Sequence, residues 1–539
     1  MQVKVEEKVF PSHRFILAAC SHFFRGLFAS DMKECSSDVV DLNFPSITAE
    51  IFEKIHDFVY SGRVEINEEN VNDLWHSANQ LQLDALEQEC GLFQERRLNK
   101  DNCVYIYNNA KALESKKLLG LSWEMICNEF DYLKKTDHLL YLATEDMQRL
   151  VGIDKLTVAS EDQIVDVIYS WLLAKKSDRM KEIDKVLASS RISHATSACL
   201  MKLVGDGGIQ GNANAVDIIQ EAFAYKLQEA NRHSYCPKTS VHRETSDQAN
   251  VLVTLPVEAG QTTMSARRMN GAWFTCTTPD AAFDKCSTVS FGDFIFAISW
   301  TEGKVPMKFS TQTNQWSALP NLNKPGGSYL LVAEGEYVYA VGGADNNNIE
   351  RINVLNENKN PGNEQWENFA QLERPVTHMA VLSTKNSSIV VFGRNKNNPE
   401  ESVVQIVDLR AKNCSVFLDD APGLSESSVC FKTRKNSFYL QQDGSLWRVV
   451  DDDAAKIKME YISNLWDVEL ELHGATVCNG ELVVTATVKD SPWKKQRWET
   501  KENVFFSGVT VINRGCNGLV NAVMPKALLN NADPTFAEC

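Results

Sequence analysis

Residues 10–34 read FPSHRFILAACSHFFRGLFASDMKE. Val3, Val5 and Val9 alternate with polar residues just before, which predicts a short hairpin leading into the stretch. Phe15 to Ala19 form a compact apolar turn, and Ser21 is placed to cap a second helix carrying Phe24, Leu27 and Phe28. Val39, Val40 and Leu42 return to a strand. Ile51, Phe52, Ile55, Phe58 and Val59 recur three and four apart and line one helical face, which Ser61-Gly62 ends. Asn67 is read as the cap of a further helix bearing Val71, Leu74, Trp75 and Ala78, and Gln80 to Cys90 adds another apolar helical face. Short strands wrapped by helices within the first ninety or so residues make one small α/β domain. His13, Cys20 and His22 have no metal-site spacing, and His13 is read as a hydrogen-bonded structural residue.

The chain has 539 residues, enough for several domains, with 43% hydrophobic and 23% charged residues. A net charge of −16 argues against a general nucleic-acid binder, whose phosphate contacts require clustered Lys and Arg. No apolar run of about 18 residues predicts a membrane span, and the start lacks the order of a signal peptide. The 14 cysteines are scattered and form no C-x-x-C pair, as expected of reduced thiols in the cytoplasm, with the nucleus as the alternative compartment. No cofactor or metal is expected.

From Asn102 to about Lys202 the pattern is helical, with Ile164, Val167, Ile168, Trp171 and Leu172 as a buried stripe. Gly205-Asp206-Gly207-Gly208 lacks the Lys of a phosphate loop and reads as a turn; His233 to Asn250 reads as a loose connection. After Val251 the period becomes that of strands. GDFIFAIS (292–299), GEYVYAVGG (335–343), SSIVVFGR (387–394), GELVVTAT (480–487) and the weaker KNSFYLQQDG (435–444) each place an apolar strand after a turn. Trp316, Trp366 and Trp466 follow three of them. VLVTLP (251–256) with GAWFTC (271–276) supplies another repeat, and six blades over residues 251–539 average about 48 residues each. FFSGVTVI (505–512) is the expected ring-closing strand. Gly342-Gly343 is expected where chains approach too closely for a side chain.

With these elements in place, residues 10–34 and FEKIHDFVYSGRVEINEENVNDLWHSANQLQL (52–83) closely resemble the BTB (POZ) domain, and LTVASEDQIVDVIYSWL (156–172) resembles the BACK domain. The repeats resemble a degenerate Kelch propeller, in which only Gly342-Gly343 precedes its tryptophan, Trp366, as a full double glycine. The whole resembles a Kelch-like BTB protein: BTB over 1–96, BACK over 101–204, a connecting region over 205–250 and a propeller over 251–539. The resemblance implies a non-catalytic adaptor that binds cullin-3 through BTB and BACK and a target protein through the propeller, within a RING ubiquitin ligase. Its cullin-contact motif (an apolar residue, any residue, then Glu) falls on Met32-Lys33-Glu34, implicating Met32 and Glu34. For the target, candidate arginines are Arg351, Arg374, Arg394 and Arg434, with Arg267 and Arg268 also considered.

The resemblance also implies a homodimer through BTB. The family's first helix and strand precede this hairpin, whereas the present chain starts at MQVKVEEKVF, so the expectation is either a truncated or mis-started form or a weakened dimer contact. The main alternative function is a cytoskeletal scaffold binding actin without a ligase. A copper oxidase on a Kelch ring is disfavoured because His378 and His473 stand alone without a Tyr, Cys and His arrangement. A BTB transcription factor is disfavoured by the lack of zinc-finger spacing.

Overall fold

The computed structural model describes residues 1–29, 38–227, 235–256, 264–268, 273–277, 285–343, 345, 347–354, 365–384, 387–419, 424–425, 427–433, 436–452, 456–466, 468–478, 480–487, 496–498, 509–513 and 516–529. Two compact units result: one from residues 1–151, 156–159 and 166–179, the other from 152–155, 160–165 and 180–539.

In the first unit, β1 (Gln2–Val5) and β2 (Lys8–Pro11) form the predicted hairpin, and β3 (Val39–Asp41) runs parallel to β1 on its other side. Val3, Val5 and Phe10 point inward from this sheet onto Leu17, Phe24, Phe52 and Trp75. The helix Ala49–Ser61 begins where Thr48 Oγ1 accepts from Ile51 N and ends at Gly62, whose φ of 70° closes the turn. Asn67 acts one turn earlier than a helix cap: its Oδ1 accepts from the backbone N–H groups of Glu69 and Asn70, and the helix Val71–Gln80 follows. The same core continues through Ile106 and Ala110 of the helix Cys103–Ala112, Leu113 just after it, and Leu118 of the helix Lys116–Asn128. Trp171 is a fully buried core residue whose Nε1 donates to Leu142 O at 2.8 Å. Arg179 lies over its ring and donates to the carbonyls of Trp171, Leu140 and Leu142.

In the second unit, helices up to Ala213–Leu227 precede β4 (Tyr235–Cys236) and six sheets. Blade 1 contains β5 (Gln248–Pro256), β6 (Ser265–Arg268) and β7 (Trp273–Thr275). Blade 2 is β8 (Cys286–Phe291), β9 (Phe294–Ser299), β10 (Met307–Ser310) and β11 (Gln315–Ala318). Blade 3 is β12 (Ser328–Glu334), β13 (Tyr337–Gly343), β14 (Asn348–Asn353) and β15 (Glu367–Gln371). Blade 4 is β16 (Val376–Ser383), β17 (Ser388–Asn395), β18 (Asn398–Asp408) and β19 (Asn413–Asp419). Blade 5 is β20 (Ser428–Lys432), β21 (Ser437–Gln441), β22 (Ser445–Asp452) and β23 (Lys456–Asn464). Blade 6 is β24 (Glu471–Cys478), β25 (Glu481–Thr487), β26 (Gln496–Trp498) and β27 (Val509–Asn513), with β4 on the free side of β24.

The ring closes one strand later than the sequence suggests. β27 lies parallel beside β25 inside blade 6, whereas β28 (Cys516–Pro525) pairs antiparallel with β5 and completes blade 1. The reason is periodicity: Val520, Ala522 and Met524 alternate along β28 and enter the same core as Val251, Val253 and Leu255. The innermost strands β8, β12, β16, β20, β24 and β28 then touch in a closed circle. Side chains stitch neighbours together. Ser287 Oγ accepts from Leu331 N at 2.9 Å, Lys432 Nζ donates to Ser383 Oγ at 2.6 Å, Ser427 Oγ accepts from Leu472 N at 2.7 Å, and Asn521 Nδ2 donates to Thr476 Oγ1 at 2.6 Å. Gly342 sits at φ 126°, and a Cβ there would lie 2.3 Å from Ser328 O, so only glycine fits between β12 and β13.

The segment expected to be a loose connection is instead a strap, because it buries a charge that the helices neutralise. Arg243, 3% exposed, donates from Nε to Glu161 Oε1 at 2.5 Å, from Nη2 to Glu161 Oε2 at 3.0 Å, and from Nη1 to Ile153 O. Ser193 and Thr239 share a buried hydroxyl contact of 2.8 Å, and the ring of His194 contacts Ser240 O at 2.9 Å. On the propeller side Lys526 donates to the carbonyls of Arg243 and Glu244.

Candidate protein-interaction surfaces

The stretch around residues 10–29 is held from below. Ser21 caps its helix as read from sequence: Oγ accepts from Phe24 N at 3.0 Å and donates to Leu81 O at 2.5 Å. His13 is structural. Its backbone N–H donates to Tyr60 Oη at 2.7 Å, and its Nδ1 shares a hydrogen bond of 3.0 Å with the same oxygen. The His56 ring lies tilted against that of Tyr60, with centroids 4.6 Å apart, and contacts Pro11 O through Nε2. On this base the helix Arg14–Cys20 presents Phe15 with 85% of its surface exposed. Met32 and Glu34 lie outside the described residues.

The propeller has two rims. In every blade the first strand runs away from the rim where the blade begins, so the connections between blades and those from second to third strand share one rim. The strap enters at the start of β5, where Lys526 N also donates to Asp247 O just past β28; that is the opposite rim. The first rim faces away from the strap entry and is called the open rim on that ground.

Of the four proposed arginines, two lie on the open rim. Arg374 lies in the β15–β16 connection and Arg394 at the end of β17, both on the open rim. Arg374 pairs with Glu401, and Arg394 donates from Nε and Nη2 to Leu424 O at 3.3 and 3.1 Å. Arg351, on β14, is committed within blade 3. Its guanidinium lies 4.2 Å from the Tyr337 ring centroid and 4.7 Å from that of Phe369, and it bonds Glu367 Oε1 at 2.5 Å. Burial opposes its charge, but the bonds to Glu367 and Tyr339 outweigh this and hold it above the ordinary arginine value. Arg434 is outside the described residues; Arg267 and Arg268 lie on β6, their side chains likewise outside. His378 sits at φ 51° in a bulge of β16 and is exposed. His473 sits at a bulge of β24, its Nε2 3.0 Å from Thr487 Oγ1, and burial lowers its pKa against the opposing pull of Glu471.

Two residues that shape the open rim were not foreseen. Glu350, fully buried on β14, accepts from Asn323 N at 2.8 Å, Asn323 Nδ2 at 2.9 Å, Lys324 N at 3.0 Å and Asn348 Nδ2 at 3.0 Å. It thereby fixes the β11–β12 connection. In the next blade Gln405 does the same for the β15–β16 connection: its Oε1 accepts from Arg374 N at 3.0 Å and its Nε2 donates to Arg374 O at 2.9 Å. The sequence carried a signal, since Leu322-Asn323-Lys324-Pro325 and Leu372-Glu373-Arg374-Pro375 share a pattern fifty residues apart.

An α/β domain with a helical extension, followed by a six-bladed ring with one open rim, defines a modular protein-interaction chain. Comparison with known proteins agrees. The BTB/POZ domain model matches residues 1–98, and the model described as BTB And C-terminal Kelch matches residues 103–205. Kelch-like protein 7 of Homo sapiens is 27% identical over 349 residues, 63% of this chain and 58% of that protein. Its Gallus gallus counterpart is 26% identical over the same span. Kelch-like protein 40 of Xenopus laevis is 28% identical over 189 residues, 35% of this chain and 30% of that protein. The matched region thus spans less than two thirds of each of these relatives. The chain thus carries a BTB/POZ domain and a BACK domain and is similar to Kelch-like proteins.

Proposed function

We propose that this chain is the substrate-recognition adaptor of a cullin-3 RING ubiquitin ligase. In this reading the BTB and BACK domains hold cullin-3, with Met32 entering an apolar cleft of the scaffold and Glu34 accepting a hydrogen bond beside it. The open rim, including Arg374 and Arg394, captures the target protein. The chain makes and breaks no bonds itself; it raises the local concentration of target lysines near the conjugating enzyme.

The observation that carries this reading is the pairing of matched BTB and BACK domains with a propeller whose strap enters at one rim, the other rim facing away from it. No helix among the described residues is long and apolar enough to cross a membrane; the proposed site of action is the cytoplasm.

The test is isothermal calorimetry of the purified chain with the cullin-3 N-terminal domain, alongside M32A/E34A. Saturable binding that the double variant abolishes supports the adaptor. A folded wild-type chain that shows no heat of binding overturns it, and co-sedimentation with actin filaments then decides for the scaffold.

A further inference from the structure

The six innermost strands enclose a cavity of about 160 Å³ lined by residues of every blade, among them Ser290, Ser383, Lys432 and Thr476. Lys432 is the charged group in that lining. Its side chain keeps only 17% of its surface exposed, and its Nζ donates to Ser383 Oγ at 2.6 Å. The carboxylate facing it, Glu334 on β12, lies 3.6 Å away, beyond hydrogen-bond reach, and Oε2 of Glu334 has no hydrogen-bond partner. An amine is thus held in a small chamber by one hydroxyl and by an ion pair with a carboxylate 3.6 Å away.

We propose that Lys432 is a covalent attachment site for small aldehydes entering the propeller channel. One N–H of the amine is fixed on Ser383, so the nitrogen lone pair of the neutral amine is free of that bond. The lone pair forms a bond to the aldehyde carbon while the carbonyl π electrons move to oxygen, which takes a proton from nitrogen. Loss of that oxygen as water, with one further proton, leaves a C=N bond, so amine plus aldehyde becomes imine plus water. Protonation of the imine places a cation back opposite Glu334. That is why the chemistry selects aldehydes: an acylating reagent would leave a neutral amide and a buried carboxylate without its counter-charge. Burial holds the ammonium below the ordinary lysine range, with Glu334 opposing, which supplies the neutral amine the attack requires. An exposed lysine is neutral in only about one molecule in a thousand near pH 7.4.

The experiment treats the full chain at pH 7.4 with limiting 2-hydroxybenzaldehyde and sodium cyanoborohydride, which fixes the imine as a secondary amine, and maps labelled lysines by mass spectrometry. Lys432 is expected to be labelled faster than the exposed lysines, because burial enlarges its neutral fraction. The advantage should vanish when the chain is unfolded in urea, and Glu334→Gln should accelerate labelling because the group that favours the ammonium is gone. Labelling of Lys432 in the native wild-type chain at or below the rate of exposed lysines overturns the proposal, and that readout requires no variant to fold. Lys432→Arg, which keeps the charge, confirms the peptide assignment by removing the label.

Discussion

Glu350→Gln changes one atom in blade 3 and should destabilise the propeller far more than that suggests. Both carboxylate oxygens face donors: Oε2 receives Asn323 N and Nδ2, and Oε1 receives Lys324 N and Asn348 Nδ2. Whichever way a glutamine amide is turned, its NH₂ meets two N–H groups, leaving two buried donors without an acceptor. Each such group costs about 1–3 kcal/mol, so the variant loses about 2–6 kcal/mol. Scanning calorimetry should show the propeller transition falling by about 4–24 °C, at about 2–4 °C per kcal/mol for domains somewhat smaller than this ring. Gln405→Glu is the mirror experiment. There one side-chain atom faces Arg374 N and the other faces Arg374 O, so a carboxylate meets a carbonyl and the connection loosens as well. A Glu350→Gln chain that melts within about 1 °C of wild type would refute the reasoning, because two unsatisfied buried donors cannot be that inexpensive.

What the sequence made legible depended on whether a signal was local. The hairpin of Val3, Val5 and Val9, the Ser21 cap and the Gly62 stop are short-range events set by residues close in sequence, and each stands where it was expected. The double glycine at 342 and 343 is legible for the same reason, although its need comes from Ser328 and Tyr329 on the neighbouring strand. The ring closure was misplaced because FFSGVTVI and CNGLVNAVMP are both apolar alternating runs. Choosing between them requires knowing which core, that of Val251 and Val253 or that of Val484 and Ala486, has an open side. The strap was misread because polarity normally marks a loop. Arg243 is buried only by virtue of Glu161, 82 residues earlier, and a pairing at that distance leaves no periodic trace. Among the proposed site residues, sequence could nominate arginines but not say which were already occupied: Arg351 is sandwiched between Tyr337 and Phe369, whose positions follow from strand register alone.

Three further predictions concern the body that holds these surfaces. Gly342→Ala places a Cβ 2.3 Å from Ser328 O at φ 126°, so denaturant titration should show a loss of about 2–4 kcal/mol, whereas Gly120→Ala, with open space around it, should be near neutral. Glu161→Ala leaves Arg243 charged and buried, a loss of about 3–5 kcal/mol, and should expose residues 235–247 to limited proteolysis; unchanged protection would show that the ion pair does not hold the strap. The last follows from thiol burial. Cys90 and Cys276 are pushed up to about 12, and Cys103 to about 11, chiefly by desolvation, from an ordinary value of 9.0. The unfolded chain therefore releases these protons from about pH 9, while the folded chain retains them, so the folded state binds more protons in that window and stability falls as pH rises. Tyr329 and Tyr439 are likewise raised to about 12, but from 10.0, so the fall between about pH 9 and 10 belongs mainly to the thiols. Urea midpoints should decline across that interval in the wild type and decline less in C90A/C103A/C276A. Equal slopes would show that burial of these thiols does not set the alkaline limit, because the variant removes the groups whose ionisation the folded core resists.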